Sequence, residues 1–443
     1  MSKERPRFAI PLSLRVVIAA AIGTALGAAF GKESYVPFFE FGNRQLGQLG
    51  AVVIQLLKAL AIPLIFLAIL DAFIRTTMSF RQARRLIFFC LLNVIVAMTL
   101  GLTIMNTLQP GRQWVGKLDA MLADMSETAD QRKESGAAKP AAPEASLSLV
   151  NNVVGWIPKS IVDPFKDNNA IPVVLLAVFA GAALRRIRRI SLADESIEGI
   201  RAVERFLSGA YQIVLQMIEW VVQAVPFAVL GILADVVGKA RLDVFGLLWA
   251  FLWTILLGLC IHAFIYYPLM AWLVGGKSPR EYVGKGAESI INAFSFNSSL
   301  VALPLTLRCL DRMHVSPESA RMAACIGTNL NNDGITLYEA MAALFLAQAL
   351  GFHLGLEQQI TIVLASIMAG AGIAGIPEAG LIVLPLVLGA TGLSAEVVAT
   401  TIPLLLTVDW IIARFRSAVN AMNDMLIAIL IDAHRPAGDA TKS

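Results

Sequence analysis

Apolar runs long enough to cross a bilayer recur along almost the whole chain, and no other feature limits its fold as severely. A helical crossing needs about 20 mainly apolar residues. The stretches Phe8 to Phe30, Leu86 to Met105, Val244 to Leu273 and Val397 to Ile431 each supply them. Inside hydrocarbon every backbone N–H and C=O must be satisfied within the protein, so this pattern dictates a bundle of spanning helices. Of the 443 residues 57% are hydrophobic and 15% charged, a balance that does not fit a soluble enzyme.

The formal net charge of +4 does not form a nucleic-acid patch, because the cations sit in the short breaks between apolar runs. Lys3, Arg5 and Arg7 precede the first span, and Arg75, Arg81, Arg84 and Arg85 follow the second. Arg185, Arg186, Arg188 and Arg189 follow the fourth, and Lys277, Arg280 and Lys285 the sixth. With every other loop basic, the positive-inside rule puts the N-terminus in the cytoplasm of a multi-pass inner (plasma) membrane protein. The first apolar run has no clear cleavage site and is read as a retained helix whose Ala and Gly residues pack against neighbours. Cys90, Cys260, Cys309 and Cys325 are isolated, and His262, His314, His353 and His434 are scattered, so neither disulfides nor a metal cluster is expected.

Five regions follow: first transmembrane helices over 1–110, an acidic, Ala/Pro-rich extracytoplasmic loop over 111–148, a broken fourth helix and further helices over 149–275, a core with two interrupted segments and two polar helices over 276–433, and a cytoplasmic tail over 434–443. Pro158, Pro164 and Pro172 divide the stretch from Ile157 to Arg185 into several short helices. After Lys277 two apolar segments are interrupted near their middles. Ile290 to Leu310 carries Ser298, Ser299 and Pro304, and Ile360 to Leu388 carries Gly370, Gly372, Gly375, Pro377 and Gly380. Non-helical backbone at membrane depth survives only inside protein or along a cavity, and paired interrupted segments point to a binding site at a repeat interface.

Each interrupted segment is followed by a polar helix. At 100° per residue, Arg416, Asn420 and Asp424 drift only about 80° around the axis, so they form one stripe, with Ser417 beside it and Asp409 near the same face. Charges at bilayer depth are costly and normally face a cavity with partners. A guanidinium holds a carboxylate in bidentate fashion, and the oxygens of Asn420 and Asp424 suit a hard cation. The structural alternative is an internal ion pair of Arg416 with Asp409 or Asp424 that only locks packing. The second cluster, Gly327 to Gly334, lies within a span from about Ala320 to Leu350. Gly334 invites local unwinding, and Asn331 with Asp333 adds side-chain oxygens for a small monovalent cation.

These motifs resemble those of the dicarboxylate/amino acid:cation symporter family, the glutamate transporter fold. The resemblance is carried by the stretch from Leu56 to Phe66 with its Pro63, by Ser298 to Pro304, by Asn331 to Gly334, by Ala374 to Gly380 and by the last helix from Asp409 to Asp424. It implies an all-α polytopic fold of eight transmembrane helices and two re-entrant helical hairpins in inverted repeats, a homotrimer in the lipid bilayer, and an elevator motion. It also implies that Ser298, Ser299, Ile376, Gly380, Arg416, Ser417 and Asn420 contact a small carboxylate substrate. The carbonyl of Gly327 with Asn331, Asp333, Asn420 and Asp424 is implied to hold cations, and Asn93 falls close to a further cation position.

Some positions depart from the family pattern: Ala413 where amino-acid carriers have an aspartate for the ammonium, Ile335 for a threonine, Asn332 for a methionine, and Leu300 within the serine run. Ala413 would leave a buried ammonium poorly paired, at a loss of about 1–3 kcal/mol or more. The expectation is therefore a symporter, not an enzyme, that takes up a C4-type dicarboxylate with sodium or protons as coupling ions and uses no cofactor. An acidic or neutral amino acid symporter of the same family is one alternative, and an uncoupled anion channel or sensor on this fold the other.

Overall fold

The computed structural model describes residues 12–36, 39–75, 80–116, 157–158, 160–166, 170–191, 197–240, 242, 244–326, 331–370, 379–390 and 395–434. Helix α1 (Leu12–Phe30) stops at Gly31, whose φ of 54° suits glycine, and a short hairpin of β1 (Ser34–Val36) and β2 (Phe39–Gly42) follows. The first asparagine of α2 (Asn43–Arg75) pins this corner: its Nδ2 donates to the carbonyl of Gly31 at 2.7 Å and its Oδ1 accepts from the Tyr35 hydroxyl. Then come α3 (Phe80–Leu108), a single turn α4 (Asp163–Lys166), α5 (Ala170–Ser191), α6 (Ile197–Gln223), α7 (Val225–Ala240) and α8 (Val244–Ile261). The prolines between 157 and 185 thus give one short turn and one long helix, with Pro172 tolerated in the first turn of α5.

Among the described residues three stretches are long and apolar enough to span a bilayer: Asn43–Asp71, Ala83–Leu108 and Leu248–Leu273. The pair Glu198–Gln223 and Val225–Lys239, bent by 46°, makes a fourth. The last helix has 39 residues and carries Asp409, Arg414, Arg416 and Asp424. At 1.5 Å per residue it is still about 58 Å long. The architecture is the helical, polytopic one expected.

Helices α1, α2, α6 and α7 pack together, and the small residues of α1 make this possible: a Cβ built at Gly23 would lie 2.4 Å from the Leu230 carbonyl oxygen on α7. Helix α5 packs on α2 as well, and α3, α8 and the helices after it form the other half. A π-turn (His262–Tyr266) joins α8 to α9 (Tyr267–Leu273). Next, α10 (Pro279–Phe296) and α11 (Ser299–Arg312) form a helical hairpin, and α12 (Pro317–Arg321) with the π-turn Met322–Ile326 leads toward α13 (Asp333–Ala349). A second helix pair, α14 (Leu356–Gly370) and α15 (Ala379–Ala390), precedes α16 (Ala395–Ala433). A helix pair followed by a long polar helix therefore occurs twice. Helices α10 and α11 pack on α16, α14 and α15 pack on α13, and α13 packs on α16, which brings both polar helices to the centre.

Candidate functional site

The tip of the first hairpin is built by local chemistry. Ser278 caps α10 by accepting from the Glu281 N–H at 3.2 Å, with Pro279 in the first turn. Asn297 ends it in the left-handed conformation (φ 51°), and Ser298 caps α11 by accepting from the Val301 N–H at 3.2 Å. Ser298 is therefore engaged as a cap. The hydroxyl of Ser299 is buried and has no hydrogen-bond partner among the described residues, and Ser417 of α16 donates to Oδ1 of Asn297 at 3.0 Å.

The stripe on α16 is buried. Arg416 donates from Nη2 to Oδ2 of Asp409, two turns back on the same helix, at 2.9 Å, which leaves Oδ1 of Asp409 without a partner among the described residues. The Arg416 guanidinium carbon also lies 4.1 Å from the centre of the Tyr338 ring, a close cation–π contact. Gly380, at the start of α15, closes over the same group: a Cβ there would fall 1.9 Å from Nη1. The alternative of an internal Arg416–Asp409 ion pair is thus realised, and it sits where the carboxylate contact was expected. Arg414, by contrast, turns back on its own helix, donating to the Trp410 carbonyl.

Where α13 begins, the local unwinding expected at Gly334 lies just before it. The helix starts at Asp333, residues 331–332 lie outside it, and Gly334 is helical. Glycine is needed there for close approach instead, because a Cβ would come within 2.6 Å of the Arg416 carbonyl oxygen. That proximity lets the Gly334 N–H donate to Oδ1 of Asn420 at 2.9 Å, while Asn420 donates to Oδ1 of Asn332 at 3.3 Å. Asn420 is thus a clamp between the two polar helices.

Asn331 donates to Oδ1 of Asp424 at 3.4 Å, and its own Oδ1 is buried with no donor among the described residues. A carboxylate beside an unpartnered amide oxygen is a donor set for a small hard cation. Among the described residues no three or more His, Cys, Asp or Glu gather as a transition-metal site would require. Asp333 has other neighbours: Nε2 of His262 lies 3.2 Å from its Oδ2, and Tyr267 donates to the same oxygen at 3.1 Å. Asn93 is buried nearby, accepting from the Tyr266 hydroxyl at 2.9 Å and donating to Asn423 at 2.7 Å. Gly327 and Ile376 lie outside the described residues.

Two residues at this centre escaped the sequence reading. His262 counted there only as one of four scattered histidines. Glu339 of α13 is fully buried, neither of its carboxyl oxygens has a hydrogen-bond partner among the described residues, and the charges of Arg416 and Asp409 act on it. The signal for both was available, since a lone ionisable residue inside an apolar span marks a functional position.

Residues 12–434 match the sodium:dicarboxylate symporter family. The chain is similar to human excitatory amino acid transporter 3, at 26% identity over 413 residues that cover 85% of this chain and 76% of that protein. It is also similar to excitatory amino acid transporter 1 of Ambystoma tigrinum, at 25% over 468 residues, 95% of this chain and 82% of the relative. Against mouse excitatory amino acid transporter 3 the identity is 33% over 221 residues, 49% of this chain and 42% of that protein.

Proposed function

The chain belongs to the sodium:dicarboxylate symporter family, a family of sodium-coupled membrane transporters, and from that premise we propose that it takes up a carboxylate-bearing amino acid together with sodium. The observation that carries this reading is the mixed charge around Arg416. One guanidinium stands beside two buried carboxyl groups, Asp409 and Glu339, that keep three oxygens without hydrogen-bond partners among the described residues. A buried cation that can meet a carboxylate, with oxygens beside it that can meet an ammonium, suits a zwitterion with an extra acidic group. The names of the similar proteins, excitatory amino acid transporters, point the same way. Both observations favour the amino acid over the C4 dicarboxylate expected from Ala413 alone.

In this reading the substrate carboxylate takes N–H donors of Arg416 beyond the one that Asp409 accepts, with the hydroxyl of Ser299 facing it from the first hairpin. Sodium is held by Asn331 and Asp424, with Asp333 and the stretch at 327 completing the cation ligands. The start of α15 at Gly380 and the stretch at Ile376 close the site. The half that carries the helix pairs moves as an elevator against α1, α2, α6 and α7, three copies assemble in the inner membrane, and the N-terminus faces the cytoplasm. Ala413, buried and apolar, favours a second reading in which a C4 dicarboxylate is the substrate.

Uptake by proteoliposomes decides between them. Under an imposed sodium gradient, labelled aspartate or glutamate accumulates and unlabelled succinate competes poorly. Accumulation of succinate with no competition from aspartate would replace the first reading by the second, and flux independent of any gradient would sink both.

A further inference from the structure

A cavity away from the proposed substrate site opens at the arginine-rich end of α3. It measures about 520 Å³ and is lined by Arg84, Arg85, Phe88, Phe89 and Leu92 of α3, Met270 and Val274 at the end of α9, and His434 just beyond α16. That volume lies within the range of about 300–1,000 Å³ typical of small-ligand sites. Among the described residues neither Arg84 nor Arg85 meets a carboxylate, so two guanidinium groups face the cavity without a counter-charge. The His434 ring is fixed against Phe89, centroids 5.4 Å apart, and its Nδ1 lies 2.9 Å from the Leu430 carbonyl oxygen, which leaves Nε2 as the atom available to a ligand.

The cavity is graded along α3. Leu92 lies eight residues from Arg84, about 12 Å farther along the axis, so its wall runs from cationic at the helix end to apolar toward the middle. Phe88 is 59% exposed, so the apolar part of the wall opens sideways toward hydrocarbon. A free anion has no use for that half. We propose that the cavity binds an anionic phospholipid of the leaflet at the arginine-rich end: Arg84 and Arg85 take the phosphodiester beside the His434 ring, and Phe88, Leu92, Met270 and Val274 receive the start of an acyl chain. Basic pockets between helices at this side of a membrane recognise such headgroups. Because His434 directly follows the helix that carries Arg416, an occupied cavity ties the base of that helix to α3.

Native mass spectrometry of the full-length protein in detergent tests this, titrated with phosphatidylglycerol and with phosphatidylcholine of identical chains. The wild type retains phosphatidylglycerol at least tenfold better. Each arginine contributes roughly fivefold, so Arg84→Gln/Arg85→Gln brings the two lipids within about twofold of each other. Arg186→Gln/Arg189→Gln, which removes two exposed cations on α5, leaves the preference intact. Leu92→Trp fills the apolar end and weakens both lipids. An unchanged melting temperature certifies that each variant is folded. Equal retention of the two lipids by the wild type, an unchanged preference in the Arg84/Arg85 variant, or an equal loss in the Arg186/Arg189 variant overturns the proposal. Displacement of the lipid by millimolar inorganic phosphate also overturns it, since the site would then belong to a free anion.

Discussion

Asp409 and Arg416 stand two helical turns apart on α16 and meet at 2.9 Å with both side chains buried. The pair has two uses at once. It neutralises a guanidinium that the apolar surroundings would otherwise penalise, and it holds that guanidinium directly under Gly380. Removing one partner of a buried pair costs about 3–5 kcal/mol because the other is left as an uncompensated charge. Arg416→Ala and Asp409→Ala are therefore each expected to lower the melting temperature markedly, and the double variant to recover most of the loss. Uptake is abolished in both variants that lack Arg416. Retained sodium-driven uptake by Arg416→Ala would remove Arg416 from the substrate site.

The glycines around Arg416 give a sharper steric test. A Cβ at Gly380 would fall 1.9 Å from Nη1 of Arg416, and one at Gly334 would fall 2.6 Å from its carbonyl oxygen, whereas a Cβ at Gly284 meets nothing within 4 Å. Gly380→Ala should displace the guanidinium and cut uptake at least tenfold with little change in folding, because a side chain can move aside. Gly334→Ala presses on backbone and should cost stability as well, at about 1–3 kcal/mol for overpacking. Gly284→Ala should be neutral in both respects. Wild-type uptake by Gly380→Ala would show that this approach is not part of the working site.

Sodium is expected to stabilise the folded protein directly. A ligand that binds only the folded state at 100 times its dissociation constant adds about 2.7 kcal/mol. Sodium, but not choline, should raise the melting temperature, and Asp424→Asn or Asn331→Ala should erase most of the difference. These two residues supply the carboxylate and the unpartnered amide oxygen of the proposed cation site. An undiminished sodium shift in Asp424→Asn would move that site elsewhere.

How much of this could be read from the sequence depends on the range of each interaction. The stripe Arg416, Asn420, Asp424 was legible because its periodicity is written within nine residues of one helix. The first hairpin was legible too, since Ser298 and the chain break at Asn297 are local turn chemistry. The close approach at Gly334 was not legible, because a glycine that permits it looks the same in sequence as one that unwinds a helix, and its neighbour, Arg416, is far along the chain. His262 and Glu339 were passed over for a related reason. One lone polar residue in an apolar helix has no period, and the contact of His262 with Asp333 spans 71 positions. The strands at 34–42 are too short to announce themselves.

Glu339 should carry the pH dependence of transport. A fully buried carboxyl group with no hydrogen-bond partner is tolerated in such a place only as the neutral acid or when a cation compensates it. Glu339→Gln keeps the shape and fixes the neutral form. We expect this variant to fold at least as stably as the wild type and to show uptake nearly independent of pH between about 5 and 8, where the wild type varies. Measured uptake profiles that superimpose would mean that Glu339 does not exchange a proton during the cycle.

Ala413 offers the most direct test of substrate choice. It lies on the same helix as Arg416, three residues before it, and is 2% exposed. A carboxylate introduced there would be buried, and Arg416, three residues on, is already paired with Asp409. Ala413→Asp should therefore be destabilised in the absence of ligand, by about 1–3 kcal/mol or more for an unpaired buried charge. An amino acid brings the missing counter-charge as its ammonium, so aspartate should restore the melting temperature of this variant and outcompete succinate more strongly than it does for the wild type. A dicarboxylate brings a second negative charge and should bind the variant worse than the wild type. If aspartate and succinate compete in the same ratio before and after the substitution, position 413 does not face the substrate, and the choice of ligand is made by Asp409 and Glu339.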